Sequence, residues 1–268
     1  MIDVRADAEL AIAAALEAGR GIMRVFGTDM AVQHKSPDQP LTEADLEADR
    51  LLADILRGAR PSYGWLSEET ADNSDRLAVS NVWVVDPIDG TRSFIAHRPE
   101  FAVSVALASE GAPVVGVVHN PATGELYWAG AGIGAWRRID HVDERIRAGT
   151  GHTAKPTLLA SRTEIARGEF DAYRDGWDIG PVGSTAYKMA RVAAGHADAF
   201  LSRGPKSEWD VCAGVLILRE AGAVVTDARG GEMTFNNRDP SVRGVLAATA
   251  AQHPALLAIL QATARGEE

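Results

Sequence analysis

The chain has 268 residues, 46% hydrophobic, 24% charged and 6% aromatic, close to ordinary globular usage, which excludes disorder as the dominant state. Its 27 Lys and Arg face 37 Asp and Glu, a net charge of −10, which argues against a nucleic-acid polymer or an anionic membrane as partner. Small-molecule chemistry is the better expectation, since bound metal ions can invert the local field for an anionic substrate.

In chain order, residues 7–26 carry Leu10, Ile12, Leu16, Ile22 and Phe26 close to a 3.6-residue period, predicting a helix that ends near Gly27. Residues 30–41 hold Pro37 and Pro40 and read as an irregular hairpin or loop. A second helix is predicted from Thr42 to about Arg60, stopped by Pro61. Residues 63–66 form a short candidate strand. Residues 82–85, 101–108, 114–118 and 126–129 then read as strands, separated by Gly, Pro and Asn turn signals. Gly130-Ala131-Gly132-Ile133-Gly134 has the wrong spacing for a dinucleotide fingerprint and no following helix, so it reads as a turn between strands.

The polar stretch 137–156 makes the best domain boundary, giving an N-terminal α+β unit (1–145) and a C-terminal α/β unit (146–268). The second half alternates strand 157–160, a helix after Thr163, helix 184–194, strand 197–201, helix 208–221, strands 223–227 and 244–248, and a closing helix 253–264. No apolar run approaches the roughly 18 residues of a membrane span. The first residues lack the basic-then-apolar pattern of a secretory signal, and the lone Cys212 can form no internal disulfide, so a reducing cytoplasm is expected.

Chemistry concentrates in Trp83-Val84-Val85-Asp86-Pro87-Ile88-Asp89-Gly90-Thr91. A buried strand delivers Asp86 to its end, where Pro87 cannot continue a central ladder and Gly90 permits a tight turn. Asp86, Asp89 and the carbonyl of Ile88 can converge on one hard divalent cation; an Asx turn capping the strand explains the same residues. Glu68-Glu69 reads either as a solvated charge pair or as further ligands. Thr42-Glu43-Ala44-Asp45 has capping-box spacing, and Glu208-Trp209-Asp210 opens an apolar helix where carboxylates complement the dipole.

Taken together and in this order, these segments resemble the inositol monophosphatase superfamily of Mg²⁺-dependent, lithium-sensitive phosphatases. Trp83–Thr91 with Phe94 matches its W-x-x-D-P-[IL]-D-G-T-x-x-F signature. Trp209-Asp210-Val211-Cys212-Ala213-Gly214 followed by Glu220-Ala221-Gly222 resembles its second signature. The resemblance spans about residues 35–230 and implies a layered αβαβα sandwich with the site between its halves, and a homodimer. It further implies that Glu68, Asp86 and the Ile88 carbonyl hold one Mg²⁺, that Asp86, Asp89 and Asp210 hold a second, and that a weaker third sits near Glu68. Asp45 and Thr91 would orient the attacking water, with Glu68 completing the catalytic set, and the Gly90 and Thr91 amides would bind phosphate. Two such cations offset the charge that makes phosphate monoesters inert.

For the substrate, the family's inositol-selective members place an acidic residue seven positions before the W-D aspartate, where this chain has Arg203. Arg203-Gly204-Pro205-Lys206 instead resembles the 3′(2′),5′-bisphosphate nucleotidase branch, so the leading expectation is 3′-phosphoadenosine 5′-phosphate, with Arg203 meeting its second anionic group. Gly183 and Ser184 lie where substrate contacts are expected, Ser184 being equally a helix N-cap. Inositol 1-phosphate and histidinol phosphate are the alternatives. A catalytically silent binding protein is the alternative of another class. The sequence has no H-E-x-x-H, G-x-S-x-G or P-loop motif. His97, His119 and His141 are isolated, and Cys212 reads as a packed thiol.

Overall fold

The computed structural model describes residues 2–28, 31–36, 39–149 and 154–265. In chain order the first half runs α1 (Val4–Met23), β1 (Val32–Ser36), β2 (Gln39–Thr42), α2 (Glu43–Ala59), β3 (Gly64–Ser67), β4 (Asn81–Asp89) and α3 (Thr91–Ile95). Then follow β5 (Ala102–Ser109), β6 (Ala112–Asn120), β7 (Glu125–Gly130), β8 (Gly134–Ile139) and β9 (Val142–Arg145). The second half holds β10 (Thr157–Ala160), α4 (Arg162–Ala166), β11 (Asp178–Pro181), α5 (Thr185–Ala193) and β12 (Ala199–Ser202). It ends with β13 (Lys206–Ser207), α6 (Glu208–Glu220), β14 (Val224–Thr226), β15 (Ser241–Val242), β16 (Val245–Ala248) and α7 (His253–Arg265).

Strands β3 to β9 form a seven-stranded sheet in sequence order, antiparallel except for the β3/β4 pair. The second sheet has five strands in the order β11-β10-β12-β16-β14, with β10 parallel to both neighbours. Side-chain alternation decides what covers each face. Trp83 and Val85 point to a core shared with α1 and α2, while Val82 and Val84 point to one shared with α5 and α6. In the second sheet Leu159 and Phe200 face that same α5/α6 layer, and Leu158, Ala199 and Leu201 face α7. The result is the expected αβαβα stack, with α5 and α6 in its middle layer.

Close approach fixes that middle layer. A Cβ on Gly116 of β6 would lie 2.6 Å from the carbonyl oxygen of Ala213 in α6, so only glycine lets the helix backbone settle on the sheet. The middle of helix α6 is buried all round, which explains the apolar run at 211–218 and places Cys212 as an inert thiol whose pKa burial pushes up.

Several boundaries differ from expectation. The polar stretch 137–156, read as the domain boundary, contains the end of β8 and all of β9, which continue the seven-stranded sheet to Arg145. These strands were hidden because an edge hairpin solvated on both sides keeps charged residues. Met30, Pro37 and residues 150–153, within the segments read as loop and domain boundary, lie outside the described residues. The Gly-rich turn between β7 and β8 does bind an anion, though an internal one: the Gly132 and Gly134 amides each donate at 2.8 Å to the carboxylate of Glu220. No helix among the described residues is long and apolar enough to cross a membrane.

Candidate active site

The cleft is built at the carboxyl ends of β3 and β4. Their parallel register sets Ser67 opposite Val85, and the Glu68 amide donates to the Val85 carbonyl at 3.2 Å, so Glu68 emerges beside Asp86. Asp86 pairs with Ser104 and Asp89 with Ala102, so two residues of β4, Pro87 and Ile88, oppose one of β5. This β-bulge matters: residues three apart on a regular strand point to opposite faces, and the extra residue turns both carboxylates into one cavity. Proline, which has no amide to lose, sits within the bulge. The Asx turn is also present, with the Ile88 amide donating to Asp86 Oδ1 at 3.0 Å.

The cavity measures about 390 Å³. Glu68, Asp86, Asp89 and Asp210 form an acidic floor, and the first residues of α3 and α5 (Thr91 to Ser93, and Thr185) open onto it. Asp210 comes from the second half, on the first turn of α6. Ligand oxygens of Glu68, Asp86 and Asp210 lie within 4.8 Å of one another. Asp89 stands outside that triplet but lines the same cavity. In Asp86, Asp89 and Asp210 the protein ties down one oxygen. Asp86 holds Ile88 N, Asp89 Oδ2 accepts from Ser184 Oγ and Ala186 N at 2.6 Å each, and Asp210 Oδ2 accepts from Ser207 N at 2.9 Å. The second oxygen of each has no hydrogen bond among the described residues.

Crowding shows in the titration of these groups. Burial, then the neighbouring charges of Glu68, Asp89 and Asp210, pushes Asp86 well above the usual carboxylate range. Burial, followed by Asp89 and Glu68, raises Asp210 to about 7. Hard carboxylate oxygens, converging and mutually repelling, are the donor set that divalent cations such as Mg²⁺ take. The residues present therefore fit such ions.

Asp45 lies behind the floor at the start of α2. Its Oδ2 accepts from Thr42 N at 2.7 Å and from Thr42 Oγ1 at 2.6 Å, the capping arrangement, while Oδ1 accepts from Thr91 Oγ1 at 3.2 Å. The same Thr91 hydroxyl lies 3.1 Å from the Ile88 carbonyl. Burial raises the Asp45 pKa. Gly90, at φ +99°, makes the left-handed step into α3. The Gly183 amide donates to Glu100 at 2.8 Å, and Ser184 caps α5 at φ +57° while holding Asp89. The capping role and a place on the cavity wall are thus combined in Ser184.

Arg203 is where expectation and structure part. It lines a different cavity, with Pro205, Ala228, Arg229 and Arg243, and takes no part in the wall above the acidic floor. Lys206, three residues on and in the strand β13 that pairs with β15, lines the cleft instead. Cations at the cleft are Arg92, Arg98, Arg162, Lys188 and Lys206. Arg162 forms a two-pronged ion pair with Glu100 and also donates to the Pro181 carbonyl at 3.1 Å, joining the two halves at the rim. Lys188 is buried, donates to the Val182 carbonyl at 3.2 Å, and burial lowers its pKa to about 8.

Other supporting residues were missed. Asp49, four positions after Asp45 and so on the same face of α2, accepts from Ser67 Oγ and from Thr70 Oγ1 at 2.6 Å, fixing the loop that carries Glu68. Lys35 of β1 donates to Glu68 at 2.8 Å and to Glu69 at 2.9 Å. Fully buried Glu208 accepts from the Asn236 and Asn237 amides at 2.6 and 2.9 Å, anchoring the start of α6. The i,i+4 spacing could have revealed Asp49; nothing local marks Lys35 or Asn236.

The profile of the inositol monophosphatase family matches residues 3–265. The chain is 36% identical to an inositol-1-monophosphatase of Caulobacter vibrioides, over 94% of this chain and 99% of that one. It is 30% identical to a 3′(2′),5′-bisphosphate nucleotidase CysQ of Aggregatibacter actinomycetemcomitans, covering 85% and 87% of the two chains. Among solved structures, an IMPase of Thermotoga maritima superposes with a TM-score of 0.84 at 27% identity, covering 96% of this chain and 98% of that one.

Proposed function

The chain belongs to the inositol monophosphatase family of phosphatases, and from that premise we propose a Mg²⁺-dependent phosphomonoesterase whose substrate is a small polyol monophosphate of the inositol 1-phosphate type. Its main support is the convergence of Glu68, Asp86, Asp89 and Asp210, from three separate segments, on one cavity that also receives the first turns of α3 and α5.

Glu68, Asp86 and the Ile88 carbonyl would hold one cation, and Asp86, Asp89 and Asp210 a second. When bound, such ions offset phosphoryl charge, acidify a water and stabilise the departing alkoxide. Thr91 donates its hydroxyl proton to Asp45 Oδ1, which leaves a lone pair of Oγ1 to accept from the attacking water. As that water loses its proton to Thr91 Oγ1, the threonine's own proton passes to Asp45, whose raised pKa suits it as the acceptor. Backbone amides at Gly90 and Thr91 meet phosphate oxygens.

The bisphosphate reading put the substrate's second anionic group at Arg203, and that residue lines another cavity. Ser161, Thr163 and Thr185 line the cleft with hydroxyls able to donate and accept, the pairing a polyol needs. The inositol-1-monophosphatase relative at 36% identity points the same way. Lys206 and Arg162 on the same wall keep a doubly phosphorylated substrate as the second reading. Phosphate release from inositol 1-phosphate, 3′-phosphoadenosine 5′-phosphate and histidinol phosphate, each with and without Mg²⁺, tests the assignment. Higher kcat/KM for the inositol ester is expected. Preference for the bisphosphate would overturn it, and silence on all three with saturating Mg²⁺ would leave a binding protein.

A further inference from the structure

The carboxylate of Asp89 is held by the other half of the chain. The hydrogen bonds it accepts among the described residues come from the start of α5, from Ser184 Oγ and Ala186 N, each 2.6 Å from Oδ2. Its position therefore depends on how that helix start is seated against the sheet that carries β4. Ser184 is constrained there. At φ +57° it holds a left-handed setting that a residue with a Cβ adopts only when its surroundings impose it. Its side chain is fixed on one side, donating to Asp89 and accepting from Tyr187 N at 3.0 Å.

On the other side the constraint is Glu100. Its Oε2 accepts from the Gly183 amide at 2.8 Å, one residue before Ser184. Arg162 grips the same carboxylate with both terminal nitrogens, Nη2 lying 2.7 Å from Oε1, which keeps it aimed. The two segments meet so closely that a Cβ on Gly183 would lie 2.6 Å from the Glu100 carbonyl oxygen. Glu100 also precedes Ala102 by two residues, and Ala102 is the register partner of Asp89 in β5. The connections thus close into a ring: Asp89, Ser184, Gly183, Glu100, Ala102 and back to Asp89. Glu100 is not on the wall of the cleft, so it acts on the site through its neighbours.

We propose that Glu100 is a positioning residue for the second cation: by holding Gly183 it keeps Ser184 in its strained setting and Asp89 turned toward the ion. This rests on the reading of Asp89 as a ligand of that ion. Loss of the Glu100 carboxylate also frees Arg162, which can alter ester binding, so the readout is ion binding and not turnover. Mn²⁺ takes the same oxygen ligands as Mg²⁺. It is titrated into the metal-free full chain, and the unbound ion is read by electron paramagnetic resonance. The wild type is expected to take more than one ion. Glu100→Ala, and Glu100→Met, which keeps the stem that fills the junction, should weaken one ion by about tenfold and leave another within about twofold. The retained ion shows that the fold is intact. Glu100→Gln can still accept from Gly183 N through its amide oxygen and should stay within about threefold of wild type. Unmoved affinities in Glu100→Ala and Glu100→Met would overturn the proposal alone, as would equal weakening of every ion. A loss in Glu100→Gln as large as in Glu100→Ala would mean that Glu100 acts by its charge rather than through Gly183, and overturns it too. A wild type that binds no Mn²⁺ would overturn both this and the metal-dependent reading beneath it.

Discussion

The two walls of the cleft are built on different principles. On the floor, Asp86 and Asp89 are buried, as is Asp45 just behind it, and each is held by hydrogen bonds from a cap, a bulge or a helix start. On the rim, Arg92 and Arg98 are exposed, and Arg162 and Lys206 are half-buried on short elements. The floor accepts the cost of gathering like charges because its backbone cannot relax; the rim keeps side chains that can be exchanged without disturbing a core. Reaction type resides where packing is rigid, and substrate choice where it is not.

The largest expected effect breaks the floor. Mg²⁺ should raise the melting temperature of the wild type, and Asp86→Asn should abolish that rise and lower kcat/KM by at least about a thousandfold; phosphate release and a thermal melt check both. Retained activity would remove the assignment of the floor. Next, Ser184→Ala takes away one of the two donors to Asp89 Oδ2 and should weaken the Mg²⁺ dependence of activity by about 10–100-fold, read as the half-saturating concentration. At the rim, Lys206→Ala should raise KM by about tenfold while kcat stays within about twofold. An equal fall in kcat would mean that the rim acts in the transition state and the contrast between the walls is false.

The smallest effect concerns pH. Asp210 titrates near 7 when folded, raised by burial and then by Asp89 and Glu68 from an ordinary value of 3.8. Such a group stabilises the fold fully below its unfolded pKa, and that contribution is lost as pH rises through about 7. The metal-free protein should therefore melt lower at pH 8 than at pH 5, by a few degrees. Mg²⁺ should flatten the slope, and Asp210→Asn should reduce it without metal. A metal-free melting temperature that climbs across this range would contradict the crowding of the floor.

Much of this was legible in the residues. The alternation of Trp83 and Val85 against Val82 and Val84 announces a strand buried on both faces, and α1, α2 and α6 fall close to where periodicity put them. Motif order brought together Asp45, Glu68, Asp86, Asp89 and Asp210 before any fold was known. What stayed hidden depends on register and on pairing at long range. The bulge that brings Asp86 and Asp89 to one side follows from pairing with β5, not from local propensity. Lys206, on the cleft wall while Arg203 lines another cavity, lies in the strand β13, whose partner is the distant β15. The Glu100–Arg162 pair spans 62 positions, a separation at which charge patterning carries no signal.

The contact between Gly116 and Ala213 bears on how this gene can be recombined. Because a strand of the early portion accepts the backbone of a late helix with no room for a side chain, neither segment is replaceable by a cousin's version unless the opposing surface travels with it. A chimaera joined after Arg145 would have to match two independently drifted backbones to within a fraction of an ångström. Crossovers that keep β6 and α6 from one parent should yield far more folded offspring than those that separate them, whatever the identity of the flanking loops.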